Sequence, residues 1–171
     1  MKSIERVRNA LIDLGIGDAI IELPASHSAR TAQLAAEAIS QYLKVDVPVG
    51  AIVKSLVFMA DTQPILVLVA GDRRGDVNKL KMAAGAAEVK IADAETVRSA
   101  TDFAVGGVPP VGHRDELPVV IDRSLSRFET VYAAAGHPHA VFPIPYARLV
   151  EVTRGRVADV TPDEGRTTKD E

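Results

Sequence analysis

The sequence predicts an α+β fold: a mixed, mostly antiparallel, barrel-like sheet with helices packed outside it. Two observations carry this. Apolar runs at 51–59 and 65–70 flank the turn residues Asp61, Thr62, Gln63 and Pro64, the pattern of a hairpin whose strands are covered on both faces. Segments with helical spacing are interleaved with the strands, but strands outnumber regular βαβ units.

The elements follow in order. A helix over 3–14 is capped by Ser3, repeats Ile4, Val7, Leu11 and Leu14 on one face, and stops at Gly15 and Gly17. Residues 19–23 read as a short strand ended by Pro24. An alanine-rich helix spans 31–43, and Pro48 and Gly50 turn the chain into the first strand of the hairpin. After the second strand comes a sharp polar connection at 71–76, then a helix over 77–84 ended by Gly85 and a strand near 88–91. Asp93 caps a helix reaching about residue 100. A Gly/Pro loop fills 103–113 and a strand 118–121. A last hairpin pairs 130–134 with 140–144, and 146–152 is helical. One domain over 1–160 is expected, with 161–171, charged and poor in apolar residues, as a disordered tail.

Composition bounds the function. Of 171 residues 47% are hydrophobic, enough for a real core, yet only 4% are aromatic, so Val, Ala, Leu and Ile build it. There is no cysteine, which excludes disulfides and thiolate metal sites. Nothing resembles a signal peptide or an apolar run of membrane-spanning length, so a cytoplasmic protein without membrane partners is expected. A net charge of −3 argues against DNA and against broad charge-driven RNA binding, but not against a local basic patch touching one end of an RNA.

Lys54 stands out. It lies within Ile52-Val53-Lys54-Ser55-Leu56-Val57-Phe58, otherwise almost wholly apolar. Lysine is seldom buried without a partner, and a poorly solvated ammonium finds a counter-charge or loses its proton more easily. The second feature is Gly106-Gly107-Val108-Pro109-Pro110-Val111-Gly112. Its glycines permit close backbone approach, its prolines stiffen it, and its remaining amides suit a carbonyl or an oxyanion.

The order of segments adds specificity. The Lys54 strand is followed by Gly71-Asp72-Arg73-Arg74, then Asn78-Lys79-Leu80-Lys81, the glycine loop, Val120-Ile121-Asp122-Arg123 and Val131-Tyr132-Ala133-Ala134-Ala135-Gly136. This resembles the YbaK/prolyl-tRNA-synthetase-associated editing domain family over roughly 28–160. The resemblance implies hydrolysis, in trans and without a cofactor, of a wrong amino acid from the acceptor end of tRNA, with proline tRNA and prolyl-tRNA synthetase as the implied partners. It places the family's lysine on Lys54 and its GxxxP loop on Gly106 to Pro110. Thiol-directed members carry a serine and an aspartate where this chain has Ala134 and Val141. The implied cargo is therefore a small residue such as alanine or cysteine.

Lys54 is the expected catalytic residue. Gly106, Gly107, Val108, Pro109, Pro110, Gly136, His137, Ser55 and Asp122 are expected around the substrate, Asp122 in a supporting role. Ser55 points away from Lys54 on a strand, which argues against a Ser–Lys dyad. Arg73, Arg74, Lys79 and Lys81 form a candidate phosphate patch. His113, His137 and His139 lack an evident further ligand, so no metal is expected; His27 and His139 read as surface residues, and Phe103 and Tyr132 as core. A binding module without hydrolysis, or a synthetase-docking protein, are the rival readings.

Overall fold

The computed structural model describes residues 2–24 and 31–163. Helix α1 (Lys2–Asp13) buries Ile4, Val7 and Leu11. Strand β1 is reduced to Ile21–Glu22, with the Leu23 amide donating to the His139 carbonyl at 2.7 Å. Helix α2 (Ala32–Leu43) starts at Thr31, whose hydroxyl accepts from the Leu34 amide, and ends at Lys44 in the left-handed region. A 3₁₀ turn over Val49–Ala51 delivers the chain to β2 (Val53–Ala60).

Strand β3 (Gln63–Ala70) returns antiparallel to β2, with Lys54 opposite Val69. Gln63 and Pro64, expected in the turn, already belong to β3. Helix α3 (Val77–Ala84) is capped by Asp76 and closed by Gly85 at φ +64°. Strand β4 (Val89–Ile91), helix α4 (Ala94–Thr101) behind its cap Asp93, and β5 (Val119–Asp122) follow. A second 3₁₀ turn, Arg123–Arg127, leads to β6 (Thr130–His137), β7 (Ala140–Pro145), α5 (Tyr146–Thr153) and β8 (Arg156–Ala158).

These elements form two sheets, not a closed barrel, among the described residues. One runs β4–β2–β3–β5–β8 and the other β1–β7–β6. Pairing is mostly antiparallel, but β5 joins β3 and β8 joins β5 in parallel. The barrel-like expectation is corrected here. A long excursion through α3, β4, α4 and the Gly/Pro loop separates β3 from β5, and that length permits the parallel return.

The five-stranded sheet is covered on both faces, which explains its unbroken apolar runs. Leu66, Leu68 and Ala70 face one core cluster with Phe103, Phe142 and Leu149; Ile65, Val67 and Val69 face another with Leu80 and Val160. The expected tail is corrected at its start: Thr161 is buried and Asp163 pairs with Lys79 at 2.7 Å, while 164–171 lie outside the described residues.

One gap positions the site. β4 pairs with β2 only from Phe58 to Ala60, and the second sheet, which packs on β2 through the core, pairs with the chain just ahead of it at an isolated parallel bridge between Ile52 and Tyr132. Between these two contacts the edge of β2 around Lys54–Leu56 opens onto a cavity.

Candidate active site

That cavity has a volume of about 610 Å³. Its walls come from β2 (Lys54, Ser55, Leu56), from α2 (Ala32, Gln33, Ala35), from the second sheet (Tyr132, Ala134, Val141), and from Gly106 and Val108 of the glycine loop. Both parities of β2 line it because the cavity lies along the strand's open edge, where backbone as well as side chain is presented.

Lys54 is half-buried, and its Nζ donates to the Arg73 carbonyl in the polar connection after β3. Burial pushes its ammonium toward deprotonation; the nearby Asp72 carboxylate opposes this and Arg74 adds to it. The connection is drawn in tightly at its first residue. A Cβ on Gly71 would stand 2.2 Å from the Val49 carbonyl oxygen and 2.8 Å from Ala32 Cβ. Asp72 is held by Arg127 through two hydrogen bonds of 2.7 and 3.0 Å, which keep its carboxyl below the usual range.

The structure divides the expected site residues. Lys54, Ser55, Gly106 and Val108 share the cavity. The Ser55 hydroxyl itself is buried and has no hydrogen-bond partner among the described residues. The other expected substrate residues stand outside the lining. The Gly107 amide donates to the Ala104 carbonyl at 3.0 Å, and its Cα packs on the His137 backbone, where a Cβ would meet atoms 3.0 Å away. Gly136, at φ +94°, lies against the Ser3 carbonyl of α1. His137 is exposed, with its Nδ1 accepting from the His139 amide at 3.1 Å and the two rings 5.4 Å apart; His139 is half-buried rather than a surface residue. His27 lies outside the described residues.

Asp122 is buried. Its carboxylate accepts from the amides of Ser124 and Val160, each at 3.1 Å, and from the Ser124 hydroxyl, so it ties β5 to the segment after β8. Lys79 leaves the phosphate patch for a similar reason. It binds Asp159 at 2.9 Å and Asp163 and the Thr161 carbonyl at 2.7 Å. Among the described residues no group of three or more metal-ligating side chains is assembled.

Pro109 and Pro110 serve the other side of the loop. Pro110, Val111 and His113 line a second cavity of about 520 Å³ with Arg148 and Glu151 of α5. His113 Nε2 lies 2.6 Å from the Pro109 carbonyl, the ring stands edge-on to the buried Phe103, and Nδ1 is buried without a partner. Burial lowers its pKa below 6.5, against the raising effect of the Pro109 carbonyl. As pH falls below 6.5 the unfolded chain takes up this proton first, so stability present above that pH is lost on acidification. Thermal unfolding should therefore shift to lower temperature between pH 7 and pH 5, and His113→Gln, which keeps a donor for Pro109, should flatten that dependence.

The α2 wall escapes the linear pattern, and Tyr132, packed against a core cluster as expected, lines the cavity as well. The available signal was the alanine content of α2: short side chains on a helix face leave room beside a sheet edge. The cavity also brings together Ala134 and Val141, which are direct cross-strand partners on β6 and β7.

The profile of the aminoacyl-tRNA editing domain matches residues 26–152. The chain belongs to this family. The resemblance to YbaK-type and prolyl-tRNA-synthetase-associated editing domains is thereby borne out. The editing domain is 24% identical over 132 residues to EbsC of Enterococcus faecalis, named a candidate Cys-tRNA(Pro)/Cys-tRNA(Cys) deacylase, covering 77% of this chain and 79% of EbsC. It is 43% identical over 79 residues to the proline–tRNA ligase of Desulfovibrio desulfuricans, but that match spans 46% of this chain and only 13% of the ligase. A solved structure of a candidate trans-editing enzyme for prolyl tRNA synthetase superimposes with a TM-score of 0.84 at 40% identity, over 95% of this chain and 99% of the other. No helix among the described residues of the editing domain is long and apolar enough to cross a membrane.

Proposed function

We propose that this editing domain hydrolyses the ester between a small, wrongly attached amino acid and the terminal ribose of tRNA, with alanine or cysteine on proline tRNA as the cargo. The observation that carries the reading is one cavity, walled by Lys54, Gly106, Val108 and the Ala134–Val141 pair, in a chain of this family. Its volume of about 610 Å³ suits an aminoacyl group together with its ribose.

Water attacks the acyl carbon, the bond to the ribose oxygen breaks, and that oxygen leaves as a hydroxyl with a proton from the attacking water. Lys54 supplies positive potential and orients the ester. The Gly106 and Val108 amides face the developing oxyanion; the Gly107 amide, already engaged by Ala104, does not take part. Stabilising that charge is worth about 3–4 kcal/mol, or two to three decades of rate, which is ample for an activated ester. Phosphates of the acceptor end lie along Arg73, Arg74 and Lys81, and the domain acts in trans beside prolyl-tRNA synthetase.

The apolar wall formed by Ala134 and Val141 favours short side chains without a charge. A panel of mischarged tRNAs tests this: alanine or cysteine should be released from proline tRNA, and correctly charged Pro-tRNA spared. Binding without release from any member of the panel would replace the hydrolase with a non-catalytic aminoacyl-binding module.

A further inference from the structure

The neighbourhood of Lys54 contains an acid that does not bind it. Asp72 precedes Arg73, whose carbonyl receives the Lys54 ammonium, yet the Asp72 carboxylate is turned to Arg127 instead. Arg127 is itself fixed from other directions. Its Nε donates to the Ser124 carbonyl at 2.7 Å, and its guanidinium lies over the Phe128 ring, 4.9 Å from the centroid. These groups pack over Gly50, just ahead of β2. A Cβ there would stand 2.8 Å from Phe128 and 3.0 Å from both Arg127 and Asp72, so the backbone is stripped to make room for them.

We propose that Arg127 is a positioning residue for Lys54: by clamping Asp72 it keeps that acid off the ammonium, which then rests on a neutral carbonyl and directs its positive field into the cavity. An ammonium paired with a carboxylate presents little net charge, whereas one held by a peptide carbonyl retains it. A planar guanidinium suits this task because it grips both carboxylate oxygens at once. Arg73 Nε also pairs with Asp72, but at 4.0 Å it adds a charge contact and not a hydrogen bond. Among the described residues the charged groups around Lys54 are Asp72, Arg73 and Arg74, all from the connection after β3; Tyr132 is the titratable group of the second sheet, and Thr31, Ala32 and Gln33 at the start of α2 carry no charge.

The catalytic consequence rests on the deacylase reading, so the test has two independent readouts. The Lys54 pKa is followed by NMR in lysine-labelled protein, and deacylation is timed on mischarged proline tRNA. Arg127→Ala should release Asp72 onto Lys54, raising the lysine pKa by about one unit and slowing deacylation about tenfold. The double variant Arg127→Ala/Asp72→Asn should return the pKa to the wild-type value or below it, and recover most of the rate. If Arg127→Ala folds poorly, Arg127→Gln with and without Asp72→Asn gives the same comparison.

An unchanged Lys54 pKa in the single variant would overturn the clamp. So would a double variant as slow as the single one, because a merely structural ion pair is not rescued by removing its second half. Should the wild type deacylate nothing, the functional reading falls while the titration still decides the clamp.

Discussion

Lys54→Ala is expected to lower kcat/KM for release of alanine or cysteine from proline tRNA by at least about a hundredfold, with the fold intact. The size follows from the site. The cavity wall is otherwise mostly apolar, so the substrate ester has few other sources of positive potential, and removing one preorganised electrostatic group costs about two to three decades. Folding should tolerate the change because burial already disfavours the charged ammonium and its visible bond is to one loop carbonyl. Rates and thermal midpoint measured on the same preparation separate the two effects. Wild-type turnover in the variant would remove Lys54 from the mechanism.

Gly71→Ala, which brings the shortest contact of any described glycine, is expected to cost about 3 kcal/mol or more. The new Cβ would meet the Val49 carbonyl oxygen at 2.2 Å, and that oxygen belongs to a backbone turn, not to a side chain able to rotate away. Relief requires pushing the connection off both the 3₁₀ turn and α2, which also displaces the carbonyl that holds Lys54. For a domain of this size each kcal/mol shifts the midpoint by about 2–4 °C, so a drop of about 10 °C is anticipated. Gly85→Ala is the control. It has open space around its Cβ and only the left-handed backbone at φ +64° to strain, so its cost should stay near 1–2 kcal/mol. A Gly71→Ala midpoint no lower than that of Gly85→Ala would contradict the close packing.

Local signals in the sequence reached local structure. The span of α2, the limits of α3 at Val77 and Ala84, and the cap at Asp93 follow from residues within a turn of the atoms they satisfy, although the cap at Thr31 emerges only in the structure. Lys54 was legible because one charge interrupts an apolar run. The parallel additions of β5 and β8 were not, since strand order is settled by partners many residues away and β8 offers only three residues with no alternating pattern.

The glycine loop was legible as a stiff element but not as a partition. Gly106 and Val108 look into one cavity while Pro110 and His113 line another, and a linear motif does not say which side of a wall each residue serves. Lys79 misled for a related reason: its positive charge is visible, but the acids that neutralise it lie about eighty positions downstream.

The facing of Ala134 and Val141 across two adjacent strands has a wider consequence. In the proposed deacylase the residues that would set cargo size belong to a hairpin, while the cation and the amides that would act on the ester belong to a different sheet and a loop. Selectivity and chemistry are thus separately tunable. On that proposal, an exchange at either hairpin position would retune which amino acid is cleared without touching Lys54 or the loop amides, so one scaffold would police several errors through two interchangeable side chains.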